Sequence, residues 1–255
     1  MRITDALTLT PAEIHRRPGG LLRVCVDTSP ADRFDGTGDL RGLLIADVLF
    51  RIAELDGVQV VTGCVDTRSA ENAEALRSAA DLLGIHPPSV ATPDARYWAP
   101  FGAPVDVHVL APGARNPGPG HGLMVAVAPA QLPGGLDAVT AREHDPLALR
   151  LALLGHGHTR PARLGPEEMA RARALLDHWR HQVAAWADAP SRPLHAGTAQ
   201  RLDRAFHHDL DTPAVLEALE RLEAEPGVPD GSRFESFVYA DRVLALELPR
   251  EIGRS

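Results

Sequence analysis

The sequence predicts an α/β protein, with a parallel β-sheet wrapped by helices over residues 1–145 and an α-helical bundle over residues 146–255. Three observations carry this expectation. Two short apolar runs, Leu21–Asp27 and Val58–Cys64, flank an amphipathic stretch from Leu40 to Leu55, which is the pattern of a β-α-β crossover and implies a parallel strand pair. The alternation of Val105, Val107 and Val109 and the run His121–Val127 supply further strands. Beyond Pro146 the period changes, and Met169, Ala172, Leu176, Trp179, Val183 and Trp186 recur at three- and four-residue steps.

Taken in order, residues 1–20 read as a lead-in, with a helix start at Thr10-Pro11-Ala12-Glu13 and a breaker at Pro18-Gly19-Gly20. After the first crossover, Thr67–Leu83 is an alanine- and leucine-rich helix that ends at Gly84. Residues 85–93 read as a proline-stiffened connector, and 111–120 and 128–135 as Gly/Pro loops. In the second half, Leu147–Leu154 is apolar on nearly every side and reads as a buried helix. The helix from Glu167 to Trp186 places both tryptophans in the core and Arg171, Arg173, Asp177 and Arg180 outside the apolar stripe. Gln200–Leu210 forms another helix, and Asp211-Thr212-Pro213 caps the next with a proline in its first turn. Phe234, Phe237, Val238, Leu244 and Leu246 close the bundle.

Composition removes several kinds of chemistry. All 26 basic residues are arginine, so no lysine is present to form a Schiff base or to hold a transferring phosphate. The net charge of −8 gives no general attraction to nucleic acid. RNA binding would need a local patch such as Arg160, Arg163, Arg171 and Arg173, whose simpler reading is a solvated helix face. Apolar runs fall short of the ~20 residues that span a bilayer, and the N-terminus lacks a leader pattern, so a cytoplasmic protein without membrane contact is expected. Cys25 and Cys64, near the ends of the first two strands, read as small buried hydrophobes.

In open parallel sheets ligands sit at the carboxyl ends of the strands, here the loop from Thr28 to Asp39 and the surroundings of Asp66. Asp66 is either a site acid or a helix cap, and His108 either a packed histidine or a ligand contact. His156 and His158 are expected to satisfy carbonyls at a helix end.

Several segments, in order, resemble the cysteinyl-tRNA synthetases and the related mycothiol-pathway cysteine ligases. Asp209-Leu-Asp-Thr-Pro-Ala214 is similar to that family's "DDLNTP-A", Asp145–Leu154 to "DPEALRLALL", Asp241–Leu248 to its closing "LLGLDL", and Asp106-Val-His108 to "DIH". Gly157-His-Thr-Arg-Pro161 resembles "HYRSP", and Ala80–Pro88 resembles "DALGIRPP". The resemblance implies a Rossmann-type catalytic domain followed by a helical bundle. It also implies ATP as cofactor, and a pocket for nucleotide or amino acid formed by Cys25, Asp27, Gly36, Gly38, Asp39, Arg41, Asp66, His108 and His121.

Within that pocket the sequence departs from the family. The signature whose imidazoles hold phosphate aligns with Gly36-Thr37-Gly38-Asp39, where both imidazoles are lost and an aspartate is placed against phosphate. Gly36 and Gly38 leave room for a backbone to approach a phosphate, but a simple tight turn accounts for them more readily. The lysine-bearing second signature falls on the uncharged segment Ala128–Gly135. Of the family's zinc ligands only Cys25 is matched, so no metal is expected.

Two readings follow. In the first, the chain is a shortened paralogue impaired in ATP-dependent cysteine activation, acting as a binding or pathway-accessory protein with a small-molecule or protein partner. In the second, it is an ATP-dependent aminoacyl ligase, acting on tRNA or a small amine, whose phosphate contacts come from His108, His121, Arg33, Arg41 or Arg142.

Overall fold

In the computed structural model the described residues are 1–14, 20–30, 36–92, 104–142 and 144–253. The chain opens with a two-stranded antiparallel ribbon, β1 (Arg2–Thr4) and β2 (Pro11–Glu13). The helix start expected at Thr10–Glu13 is therefore a strand: Ile3 pairs with Ala12, and this contact made by residues at the very N-terminus overrides the local helical signal.

The centre is a five-stranded parallel sheet of β3 (Leu22–Asp27), β4 (Val60–Val65), β5 (Val90–Thr92), β6 (Val107–Leu110) and β7 (Leu123–Ala126), in the spatial order β5-β4-β3-β6-β7. Helix α1 (Thr37–Leu55) carries the chain from β3 to β4, and α2 (Ala70–Leu82) carries it on to β5. The α/β class, with a parallel sheet followed by helices, is as the apolar periodicities implied. β5 lies inside the expected connector; three residues are too few to leave a period-two signature. The chain moves outward from β3 through β4 to β5, then returns to add β6 and β7 on the other side of β3. The topological switch point is therefore between β3 and β6.

Strand alternation sorts the side chains. Val24, Val26, Val107 and Val109 join the main core with Leu40, Leu44, Val48 and Leu49 of α1. Cys25, one step out of phase, packs on the opposite face with Val65 and Val105.

After β7 the segment expected to be loop, 128–135, contains β8 (Ala130–Gln131), and α3 (Gly135–Thr140) begins at its end. The bundle follows: α4 (Pro146–Leu154), β9 (Ala162–Arg163, paired with β8), α5 (Pro166–Trp186), α6 (Ala196–His207), α7 (Thr212–Ala224) and α8 (Asp230–Leu244). Asp145 and Asp211 cap α4 and α7 by accepting from Leu147 and Ala214 N–H groups, the second as its sequence signal implied. Trp179 and Trp186 both pack edge-on against Phe237, at centroid distances of 5.6 and 5.1 Å. Arg180 is not on the solvated face: it is buried and donates to the Leu246 carbonyl at 2.8 Å, because the chain after α8 folds back over α5. One continuous apolar core runs from the sheet into the bundle. Among the described residues no helix is long and apolar enough to cross a membrane.

Candidate functional site

At the switch point, β3 and β6 bring together residues 81 or more positions apart. Cys25 is paired in register with His108, and Asp27 lies two residues further along β3 on the same face. His108 Nδ1 and Asp27 Oδ2 are 2.7 Å apart. Cys25, Asp27 and His108 are 0%, 4% and 1% exposed, and one donor atom from each lies within 4.8 Å of the others.

The start of α1 forms the second part of the site. Gly36 precedes the helix with φ at +76°, in the left-handed region that favours glycine, and offers no side-chain cap. Asp39, in the first turn, accepts from both the main-chain N–H and the hydroxyl of Ser29, each at 2.8 Å. Arg68 reaches the same carboxylate at 3.1 Å and grips Asp66 with two further bonds of 2.8 and 3.0 Å. Burial pushes the Asp39 carboxyl above its ordinary value despite the Ser29 and Arg68 contacts. Asp66 is partly buried too, yet the Arg68 hydrogen bonds hold it below the usual carboxylate range. It is not the cap of α2; Ser69 is, accepting from Asn72 N–H. Sequence reasoning missed Ser29 and Arg68. Arg68 had a faint signal, a cation two residues beyond an acid at a strand end.

The two glycines are indeed points of close approach, but to protein. A Cβ on Gly36 would lie 2.4 Å from Leu136 Cδ1, and one on Gly38 would lie 3.1 Å from Pro112 Cγ. The backbone in front of these glycines is lined by these two side chains. Among the described residues the arrangement does not suit a bound triphosphate: an aspartate occupies the helix N-terminus, where the dipole would otherwise favour an anionic ligand.

Arg41 is placed differently from a phosphate-binding arginine. It is fully buried and donates to the carbonyls of Ala128, Pro129, Arg160, His156 and Gly157 at 2.7–3.2 Å. Among the described residues it pairs with no carboxylate, and burial lowers its pKa to about 10, which still leaves it charged at neutral pH. The uncharged segment at 128–129 is thus one of its acceptors. Arg142 is exposed and lines a separate groove with Asp145, Arg173 and Asp241. His121 is half-buried ahead of β7. Arg33 and the stretch 93–98 lie outside the described residues. His156 does not serve a helix carbonyl; its Nε2 meets Glu168 at 2.5 Å. Of the arginines considered for RNA, Arg173 is engaged by Asp145 and Asp177 at 2.8 and 2.7 Å.

A cavity of about 400 Å³ lies beneath α2, lined by Leu43, Cys64, Leu76, Ala80 and Ile85 with Asp66 at its edge. It is apolar, and burial pushes the Cys64 thiol up to about 12, so that group is an inert wall rather than a nucleophile.

Comparison with known proteins gives short matches. A stretch of 77 residues, 30% of this chain, is 46% identical to an L-cysteine:1D-myo-inositol 2-amino-2-deoxy-alpha-D-glucopyranoside ligase of Tsukamurella paurometabola and covers 17% of it. A stretch of the same length is 36% identical to the ligase of that name from Thermomonospora curvata, covering 18% of it. Over 90 residues, 34% of the chain, identity to the Parafrankia sp. ligase is 39%, covering 19% of that protein. The matched stretch amounts to less than a fifth of each of these relatives, and it supports a relationship to such ligases over that length. No protein-family model matches the chain.

Proposed function

We propose that this chain derives from an ATP-dependent aminoacyl ligase and serves as a binding or pathway-accessory protein that does not itself adenylate cysteine. The observation that carries this reading is Asp39, held at the N-terminus of α1 by Ser29 and Arg68 where a triphosphate would need donors. Leu136 against Gly36 and Pro112 against Gly38 support it, as does Arg41, whose guanidinium is turned to main-chain carbonyls. Preorganised donors to a developing anion are worth about 3–4 kcal/mol each, so losing two of them slows adenylation by on the order of 10⁴-fold or more. The ligase reading with substitute arginines loses its best-placed candidate once Arg41 is committed elsewhere.

The test is ATP–pyrophosphate exchange with cysteine and a panel of other amino acids, together with thermal-shift titration by ATP. The expected result is exchange at background and no nucleotide-dependent shift. Robust exchange with any amino acid overturns the proposal. Filter binding to tRNA across salt concentrations is expected to show no steep salt slope.

A further inference from the structure

We propose that the cavity beneath α2 is a binding site for a small amphiphilic amine, an aromatic or branched aliphatic body that carries one cationic head. The site lies on the β4–β5 side of the sheet, away from the β3–β6 switch point, and is independent of what the crevice there binds. Where a helix packs on a sheet, side chains of the two layers normally interlock and leave few voids larger than a water molecule. Here α2 contributes Ala73, Leu76 and Ala80, and the sheet contributes Cys64 and Ala91. Four of these five side chains are short, and about 400 Å³ is left open between the layers. That volume falls within the ~300–1,000 Å³ of small-molecule sites and far exceeds the ~30 Å³ share of one water. Water finds few polar partners against such walls, whereas an apolar body gains by leaving its hydration shell there.

The frame of the cavity is fixed before any ligand arrives. Pro87 and Pro88, whose rings lock φ, form one wall. The turn that carries them is pinned on both sides: Ile85 N–H donates to the Ala80 carbonyl at 3.0 Å, His86 N–H to Asp47 at 3.1 Å, and Ser89 N–H to the Thr62 carbonyl at 2.8 Å. A preformed cavity spares the ligand the cost of ordering it. The charged groups stand at the edge, and they select the head. Arg77 is engaged by Glu74 of its own helix, which leaves Asp66 and Asp81 as the acidic groups of the lining. Asp66 Oδ2 accepts one bond, from Arg68 at 3.0 Å, and has room for a second donor. An ammonium supplies that donor and is attracted by both carboxylates, while a carboxylate or phosphate head is repelled.

The experiment titrates the full chain with 2-phenylethylamine, and in parallel with 2-phenylethanol, 3-phenylpropanoate and glucosamine, by saturation-transfer NMR and thermal denaturation. The expected result is saturable one-to-one binding of 2-phenylethylamine, with the melting temperature raised by roughly 5–10 °C at a hundred times its Kd. The alcohol is expected to bind at least 10-fold more weakly, and the carboxylate and the all-polar amino sugar not at all. Ala80→Leu fills the void, so it should keep or raise the melting temperature of the free protein and weaken amine binding at least 100-fold. Ala73→Leu is the second filling variant, should the first fail to fold. Asp66→Asn is expected to bring the amine and alcohol affinities within 3-fold of each other, a change in selectivity that a purely structural role would not produce. Absence of saturable amine binding overturns the proposal. So does equal affinity for the amine and the alcohol in the native chain, binding of glucosamine as tight as that of 2-phenylethylamine, or amine affinity unchanged in a folded filling variant, since the amine would then be held on the acidic surface.

Discussion

The Asp47 carboxylate and the Arg150 guanidinium meet at 2.6 Å with side-chain exposures of 1% and 0%, joining α1 under the sheet to α4 of the bundle. Arg150 also donates to the carbonyls of Leu83 and Leu244, at 3.0 and 2.6 Å, so one side chain stitches three parts of the fold. Asp47 in turn accepts from Arg51 at 2.9 Å and from the main-chain N–H of His86 at 3.1 Å.

Asp47→Asn is expected to lower stability by about 3–5 kcal/mol, because it strands a buried arginine without its counter-charge. Urea unfolding followed by circular dichroism measures this. Burial opposes ionisation of Asp47, but His86, Arg150 and Arg51 outweigh it and hold the carboxyl well below its ordinary value. A depressed carboxyl stabilises the fold at any pH above the normal aspartate range and loses that contribution as pH falls beneath it. The variant should therefore show a shallower acid limb below about pH 4. An unchanged acid limb would refute the assignment.

Arg41→Met is expected to destabilise the chain by about 3 kcal/mol or more, since five carbonyls lose a charged donor and some are left buried. If instead Arg41 served a ligand, the variant would melt normally and lose ligand binding. Thermal denaturation without added nucleotide separates the two.

Gly36→Ala should cost roughly 1–2 kcal/mol for the left-handed backbone, plus the clash with Leu136. Leu136→Ala opens a cavity and costs about 2–5 kcal/mol alone. The double variant is expected to be more stable than the sum of the singles implies, because the shorter side chain makes room for the new methyl. Strict additivity in a double-mutant cycle would show that these residues do not touch.

His158 is 3% exposed, and burial lowers its pKa below the ordinary 6.5. The folded state keeps the ring neutral while the unfolded chain takes up a proton, so stability should fall as pH drops below about 6.5. His158→Gln is expected to flatten that limb of the stability–pH profile, measured by urea titrations between pH 5 and pH 7.5.

Much of the fold was legible because it is written in long periodic segments. The alternation of Val105, Val107 and Val109 and the stripe through Trp179 and Trp186 each repeat often enough to declare an element. Shorter elements were not: Val90–Thr92 and Ala130–Gln131 carry no period, and Pro11–Glu13 is a strand only because Arg2–Thr4 pairs with it. The site was legible as positions and not as contacts. Gly36 and Gly38 mark close approach, but Leu136 and Pro112, the groups that approach, lie 100 and 74 residues away and only the folded chain reveals them. Arg41 looked available for the same reason, since five carbonyl acceptors leave no trace in residue type.

The Arg41 contacts have a consequence for motion. The turn at 128–129 and the loop at 156–160 share one guanidinium and are also joined directly, Ala128 N–H donating to the His158 carbonyl at 2.7 Å, so neither can swing outward without unfastening the other. They therefore form one panel across the junction of sheet and bundle, and their amide protons should exchange with solvent in concert rather than separately.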